Sequence, residues 1–422
     1  MKTRSKFPIL LVLLSTLPLL QACGDGAGAW EGTITDSAGV AVVHNTATPM
    51  WRAGDEWTVA EDLRIGTVAG EPEYQFGQIL PVSSIDVDSD GNIYVMDLQA
   101  REARVFDSQG QYLRTLGGPG EGPGEFSPQA AFIFTDNENR VLVPDLGLQR
   151  VSMFNVAGEP TGSFPIQMQA GIPARWNVDS SGRIMAQLRG LNVQGMAALA
   201  EGDPIVVYDT TGVVVDTVAL LPQGQTLAGA TEEQFSMVLF APEPVWDLDE
   251  SGSVSYAMND QYRVLVNGPD GALTRIITRE VEKKPVEESD RTAILSLMQE
   301  QYAEFGVPPA QIEQIMQGVG FADNYPEFGL LFRGPGGSLW VQRIRSARDM
   351  ADASEEEVEF DPQDLGSPEW EVFDSEGRYL GVVTLPDRFA PVHVEGDHIY
   401  GVWSDELDVQ YVMRLTVNRT PA

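Results

Sequence analysis

The chain has 422 residues, 43% of them apolar, with 27 basic and 62 acidic side chains and a formal charge of −35. That balance excludes nucleic acid and anionic lipid headgroups as partners, since both are bound through basic surface. Enough apolar sequence is present to bury a core, 42 glycines mark a turn-rich body, and a single cysteine leaves no internal disulfide.

Residues 1–22 read as a lipoprotein signal peptide. Lys2, Arg4 and Lys6 form a basic start, and Phe7 to Leu20 is apolar but short for a membrane span. The stretch ends at Leu20-Gln21-Ala22-Cys23, which looks like a lipobox, with cleavage before Cys23 and lipid attached to its sulfur. The competing reading is an ordinary signal peptide with an incidental cysteine. Gly24 after the cysteine fits an outer-membrane destination under the rule for enteric bacteria. Loss of the three leader cations takes the charge to −38. Residues 23–32 form a tether. Lipid anchors without spanning, so the expected body is a soluble domain held in the cell envelope, facing either the periplasm or the cell surface.

From residue 33 onward the pattern is strands. Thr33 to His44 and Trp57 to Ile65 come first. Next is the clearest unit, Ser84-Ile-Asp-Val-Asp-Ser-Asp-Gly-Asn-Ile-Tyr-Val-Met-Asp97, followed by Arg104-Val-Phe-Asp to Gly117. It is two hairpins, each broken at a Gly-containing turn. Six inner hairpins follow this template: Ile85–Val95, Ala131–Val143, Trp176–Ala186, Val245–Ala257, Leu330–Val341 and Val392–Val402. Outer strands follow at Val105, Met153, Val207, Leu265, Val372 and Val412, and the first five are followed by Gly110, Gly158, Gly212, Gly271 and Gly377. A repeated four-stranded unit predicts an all-β, six-bladed β-propeller over residues 33–422. The last blade lacks an outer strand, so an N-terminal strand is expected to close the ring beside it.

Gly70-Glu-Pro-Glu-Tyr-Gln-Phe76, Leu80-Pro81, Asp88 to Val95, Asp97, Arg104 to Asp107 and Gly110 together resemble an NHL repeat, and Gly117 to Phe126 fits the lead-in to the next one. The chain resembles the six-bladed NHL-type propeller lipoproteins of bacterial envelopes, most closely over residues 66–160. That resemblance implies the fold and not one activity, because such propellers include protein binders, RNA binders, lyases and lactonases.

Two segments break the rhythm. Residues 285–320 carry Ile294, Leu297, Met298 and Phe305 at helical spacing, with Ser289 or Asp290 as N-cap, then Pro308-Pro309, Ile312, Ile315, Met316 and Gly318. This is a helical insertion between blades four and five, either a rim decoration or a lid. Residues 346–368 form an acidic loop inside blade five.

Candidate sites each carry a competing structural reading. Asp86, Asp88 and Asp90 before Gly91 have calcium-loop spacing, although the same residues suit a β-turn. His44, His393 and His398 would all lie in the last blade if the first strands close it, as zinc candidates or as edge histidines. Neither a nucleophile elbow nor a phosphate loop occurs. The remaining candidate is the face built by the loops after each second strand and between blades. It carries Asp97, Arg101, Glu121, Glu125, Asp145, Arg189, Asn259, Asp260, Arg343, Arg345, Trp403 and Asp405. There, Asp97 and Asp145 are either ligand contacts or loop ties, and Arg343 and Arg345 either hold a carboxylate or pair with nearby acids. The expected function is a lipid-anchored binding or scaffolding module for an envelope protein, peptide or small ligand, needing no cofactor. The alternative is a metal-dependent lactonase or lyase with a channel-mouth site.

Overall fold

The computed structural model describes residues 29–190, 202–226, 236–249, 251–346 and 365–419. Cys23, the signal segment and most of the acidic loop lie outside them. Two N-terminal strands, β1 (Thr33–Ser37) and β2 (Val40–Asn45), form a hairpin, and β3 (Thr58–Ile65) follows. Six antiparallel sheets then succeed one another around an axis, each starting from its innermost strand.

Those innermost strands are Ile85–Val87, Phe134–Thr135, Ile172–Val178, Pro244–Leu248, Leu331–Gly334 and Phe389–Glu395. Blades one to five take all four core strands from consecutive sequence. Blade six has three, and β3 pairs antiparallel with Gln410–Asn418 as its fourth. Joining the first part of the chain to the last removes the open edge that a linear stack of sheets would expose.

Alternation along each strand gives every blade two apolar faces, and the ring buries both. Six apolar clusters lie one at each interface between consecutive blades. Trp176, for example, fills the wedge between blades two and three, stacked between Phe134 and Tyr208. Trp340 and Trp370 do the same between blades five and six.

The expected closure holds for β3 but not for the first hairpin. β2 runs parallel to Leu273–Arg279 on the outer edge of blade four, which extends that sheet to six strands. His44 therefore sits on blade four, against Thr278, and not in the last blade. The segment after β2 continues around the rim. Asn45, 4% exposed, donates to the carbonyls of Thr278 (3.2 Å) and Gly377 (2.9 Å) and accepts from Tyr379 N–H (2.8 Å). Met50 and Trp51 then bond through their backbone N–H groups to Tyr379 and Leu380 on the edge of blade five. The N-terminal segment thus belts blades four, five and six in order. The Asn45→Ala variant leaves these buried backbone groups without partners, and the cost expected is about 2 kcal/mol, read from the urea unfolding midpoint.

One turn device recurs in every blade. The side-chain oxygen Oδ1 of Asp88, Asp107, Asp136, Asn155, Asp179, Asp209, Asp249, Asp374 and Asp405 accepts N–H groups two and four residues further on. In most of them a glycine three residues after the acid supplies the left-handed backbone that such turns need, as Gly91 (φ 80) and Gly212 (φ 81) do. The Thr211 hydroxyl and the N–H of Val213 hold the Asp209 carboxyl below its ordinary value. At Asp179 burial opposes the charge, but Ser181 and Arg183 outweigh it and the carboxyl is again lowered. A lowered carboxyl stabilises the fold above its unfolded value near 3.9, and that contribution is lost as pH falls through the folded value. Asn155 fills the same role without charge. Hence Asp209→Asn is expected to lower the neutral-pH melting temperature slightly and lose part of the acid sensitivity below about pH 4, whereas Asp209→Ala, which also removes the acceptor, lowers the melting temperature further and at every pH.

Candidate functional site

The central channel is stitched by two aspartates at matching positions of blades one and four. They stand in parallel phrases, Ile85-Asp86-Val87-Asp88 and Trp246-Asp247-Leu248-Asp249. Asp86 takes His393 Nδ1 of blade six at 2.9 Å on one oxygen, and the Thr135 hydroxyl (2.8 Å) and N–H of blade two on the other. Asp247 takes the Arg175 guanidinium of blade three at 2.7 Å on one oxygen and the Arg333 N–H of blade five at 2.7 Å on the other. Each aspartate thus joins its own innermost strand to those of both neighbours.

This geometry separates the calcium candidates. Asp86 faces the channel. Asp88 accepts from the N–H groups of Asp90 and Asn92, the Asn92 amide and the Tyr94 hydroxyl, so both its oxygens are engaged in the turn. The zinc candidates also lie apart. His44 is on blade four, His393 in the channel, and His398 beside Asp62 at 3.8 Å on blade six. Among the described residues no group of three or more His, Cys, Asp or Glu is arranged to hold a metal ion.

On the loop face, several predicted residues tie down backbone. Asp97 is fully enclosed and accepts from the N–H groups of Gly77, Gln78, Gln99 and Ala100, with Arg104 at 3.4 Å. Arg101 sits in the same turn with left-handed backbone (φ 56). Asp145 is also enclosed, bound to Ser127 and to the N–H of Leu148. Glu125 bonds the N–H of Gly122, and Arg150 holds the carbonyls of Glu121 and Glu125. Arg189 pairs with Asp203 and Glu243, and the Arg64 guanidinium covers the Trp403 ring at 4.1 Å.

Asp260, Arg343 and Arg345 behave differently, because they line cavities beside a cap. Helices α1 (Glu288–Glu304) and α2 (Pro309–Gln317) lie where the sequence predicts, but the N-cap of α1 is Glu287 and not Ser289 or Asp290, which both lie inside the first turn; Asp290, the third helical residue, closes a capping box by accepting from Glu287 N–H. Ile294 and Met298 turn inward on Leu239, Phe240, Tyr325 and Leu365, joined by Met316 of α2, and Ile312 of α2 is buried. A small parallel pair, Met237–Leu239 with Val319–Phe321, ties the connection before blade four to the one after it. The insertion is therefore the centre of a cap spanning both connections and packed against Ile344 of blade five.

Two adjoining cavities open beside it. One, about 440 Å³, is lined by Gln225, Phe240, Asp260, Lys283 and Tyr325 among others. The second, about 530 Å³, is walled by Arg279, Lys283, Lys284, Arg343 and Arg345 together with Glu280, Glu282, Glu327, Glu369 and Glu371. Glu371, 4% exposed, anchors this wall. It accepts from Tyr262 Oη at 2.7 Å, Arg279 at 2.9 Å and Arg343 at 3.0 Å. Burial and the Glu371 charge push the Tyr262 hydroxyl well above its ordinary value. Burial likewise raises the Glu327 carboxyl, against the pull of the Tyr262 N–H and Lys283. Arg343 also binds Glu369, so it pairs with acids of the strand that follows the acidic loop.

The lysines are the signal that sequence reasoning missed. Lys283 and Lys284 are the only lysines after residue 6, and both stand in this cleft. Their scarcity in an acidic chain was visible, but their convergence with Arg343 and Arg345 depends on packing between blades. Removing the anchor with Glu371→Ala leaves the buried Arg279 without its counter-ion. Destabilisation by about 3 kcal/mol is expected from chemical unfolding, and Glu371→Gln, which still accepts from Tyr262, costs less.

The profile of a family described as a 6-bladed beta-propeller matches residues 77–169. No curated protein matches the chain at a significant level. Among solved structures the chain is similar to a member of the DUF4221 family from Bacteroides vulgatus, at 9% identity over 87% of this chain and 99% of that one, with a TM-score of 0.50. It is similar also to a Bacteroides fragilis protein provisionally described as exported, at 11% identity over 89% and 99%, with a TM-score of 0.49. Virginiamycin B lyase from Staphylococcus aureus follows at 10% identity over 86% and 99%, with a TM-score of 0.41. At these identities such likenesses speak to fold alone; the sheet order and the family profile make this chain a six-bladed β-propeller.

Proposed function

We propose that this propeller is a binding module of the cell envelope, held to a membrane by lipid on Cys23, and that it takes its ligand in the cleft between the cap and blades four and five. The observation that carries this reading is the wall of the 530 Å³ cavity, where five cations face five glutamates in a chain of formal charge −35. Local neutrality within so acidic a molecule gives an anionic group a place to approach without crossing a uniformly repulsive surface. The occupant that suits both signs of charge is a small polar ligand or a peptide segment carrying a carboxylate.

The test uses the mature chain from Cys23 onward, immobilised and exposed to envelope extract, beside the double variant Lys283→Glu, Lys284→Glu. A partner retained by the parent and lost roughly tenfold by the variant is the expected result, which corresponds to about 1.4 kcal/mol of binding. Equal retention by both proteins removes the cleft as the binding site. In whole cells the full-length parent is expected in the membrane fraction and Cys23→Ser in the soluble fraction, and a membrane-bound Cys23→Ser protein would overturn the anchor.

A further inference from the structure

The two channel aspartates are built alike, with one difference. Asp247 receives a side-chain cation from the preceding blade, Arg175, and a backbone N–H from the following blade, Arg333. Asp86 receives its side-chain partner from the preceding blade, His393, and a backbone N–H from the following blade, Thr135. Where one trio of blades uses an arginine, charged at every physiological pH, the other uses the one side chain that changes charge between pH 5 and 8. That histidine lies at the seam between blades six and one. Blade six is also the blade assembled from both ends of the chain, with β3 against Gln410–Asn418.

We propose that the contact between blades six and one is a pH-sensitive joint, braced when His393 is protonated and loosened when it is neutral. The surroundings of the imidazole support this. Its side chain is 23% exposed, Asp86 is 2.9 Å away on blade one, Glu395 follows two residues later on the same strand, and Asp247 faces it from blade four. Arg175 and Arg333 bind Asp247 and offset part of its charge, and Tyr400 of the same blade lies with its ring 6.1 Å from the imidazole. Burial opposes the charge, yet the three carboxylates outweigh it and raise the imidazole above its ordinary value. Nε2 has no hydrogen-bond partner among the described residues, so the Asp86 contact is the one hydrogen bond of the imidazole, an ion pair when both nitrogens carry protons and a weaker neutral Nδ1–H donor bond once Nε2 loses its proton.

The sign follows from the raised value. Below the unfolded histidine value near 6.5 the bracing is complete, and it is lost as pH rises through the folded value. The turn carboxyls of Asp179, Asp209 and Asp405 are lowered, away from this window.

The experiment is amide hydrogen exchange of the mature chain at pH 5.5 and pH 8.5, corrected for intrinsic chemistry. The strands read are Phe389–Glu395, His398–Ser404 and β3, for the parent, His393→Gln and His393→Arg. In the parent, opening at this seam is expected to be about 3- to 10-fold more frequent at the higher pH, with the contact between blades three and four unchanged. His393→Gln removes the difference, and His393→Arg, copying Arg175, removes it while keeping the seam closed. Parallel pH dependence in the parent and His393→Gln overturns the joint. Should either variant fail to fold, the imidazole is titrated by NMR in the parent, with His44→Gln and His398→Gln to assign its signal. A midpoint above 6.5 supports the joint, and one at or below 6.5 overturns it.

Discussion

A radial array of sheets buries both faces of every blade only when the ring is complete. A missing strand leaves an edge with unpaired backbone groups, and a missing blade leaves two apolar faces in water. Here the constraint is met by β3, which lies beside Gln410–Asn418 and puts Ile65 into the core between blades six and one. The belt that leads to β3 adds to the same end. It edges blade four with β2, bridges blades four and five through Asn45, and edges blade five with Met50 and Trp51. The aromatic cluster of Trp51, Trp57, Trp340 and Phe332 fixes its path at the rim.

Acidic residues serve two different purposes in the phrase Asp-x-Asp. The second aspartate closes its own turn, using donors two and four residues away, which is local chemistry. The first reaches into the channel and uses donors 49 and 72 residues away in sequence, Thr135 and Arg175. The spacing that resembles a cation loop thus arises from two unrelated demands on neighbouring positions. Part of the negative charge is committed in this way to turns and seams, where backbone N–H groups, hydroxyls and arginines satisfy it.

The cap changes the character of one face. Without it, the loops over blades three to five would form an open rim. Beside it, Lys283 and Lys284 stand with Arg343 and Arg345 of blade five, and the Arg279, Arg343 and Glu371 network forms one wall of an open cleft. The cleft is built from blade strands and from the segments that lead into and out of the insertion, consistent with a common fold carrying a particular binding surface.

The sequence by itself determined the blade count, the positions of the inner hairpins, the glycine turns, the helical insertion and the need for an N-terminal strand to close the ring. All of these rest on periodicity and turn chemistry, which act over a few residues. Assigning Thr33–Asn45 to blade four, scattering the three histidines, enclosing Asp97 and Asp145 while leaving Arg343 and Arg345 on a cavity, and pairing Asp86 with His393 were decided only by the tertiary structure. In each case the partner lies tens to hundreds of residues away, and strand alternation says which face a side chain occupies but not which blade will meet it.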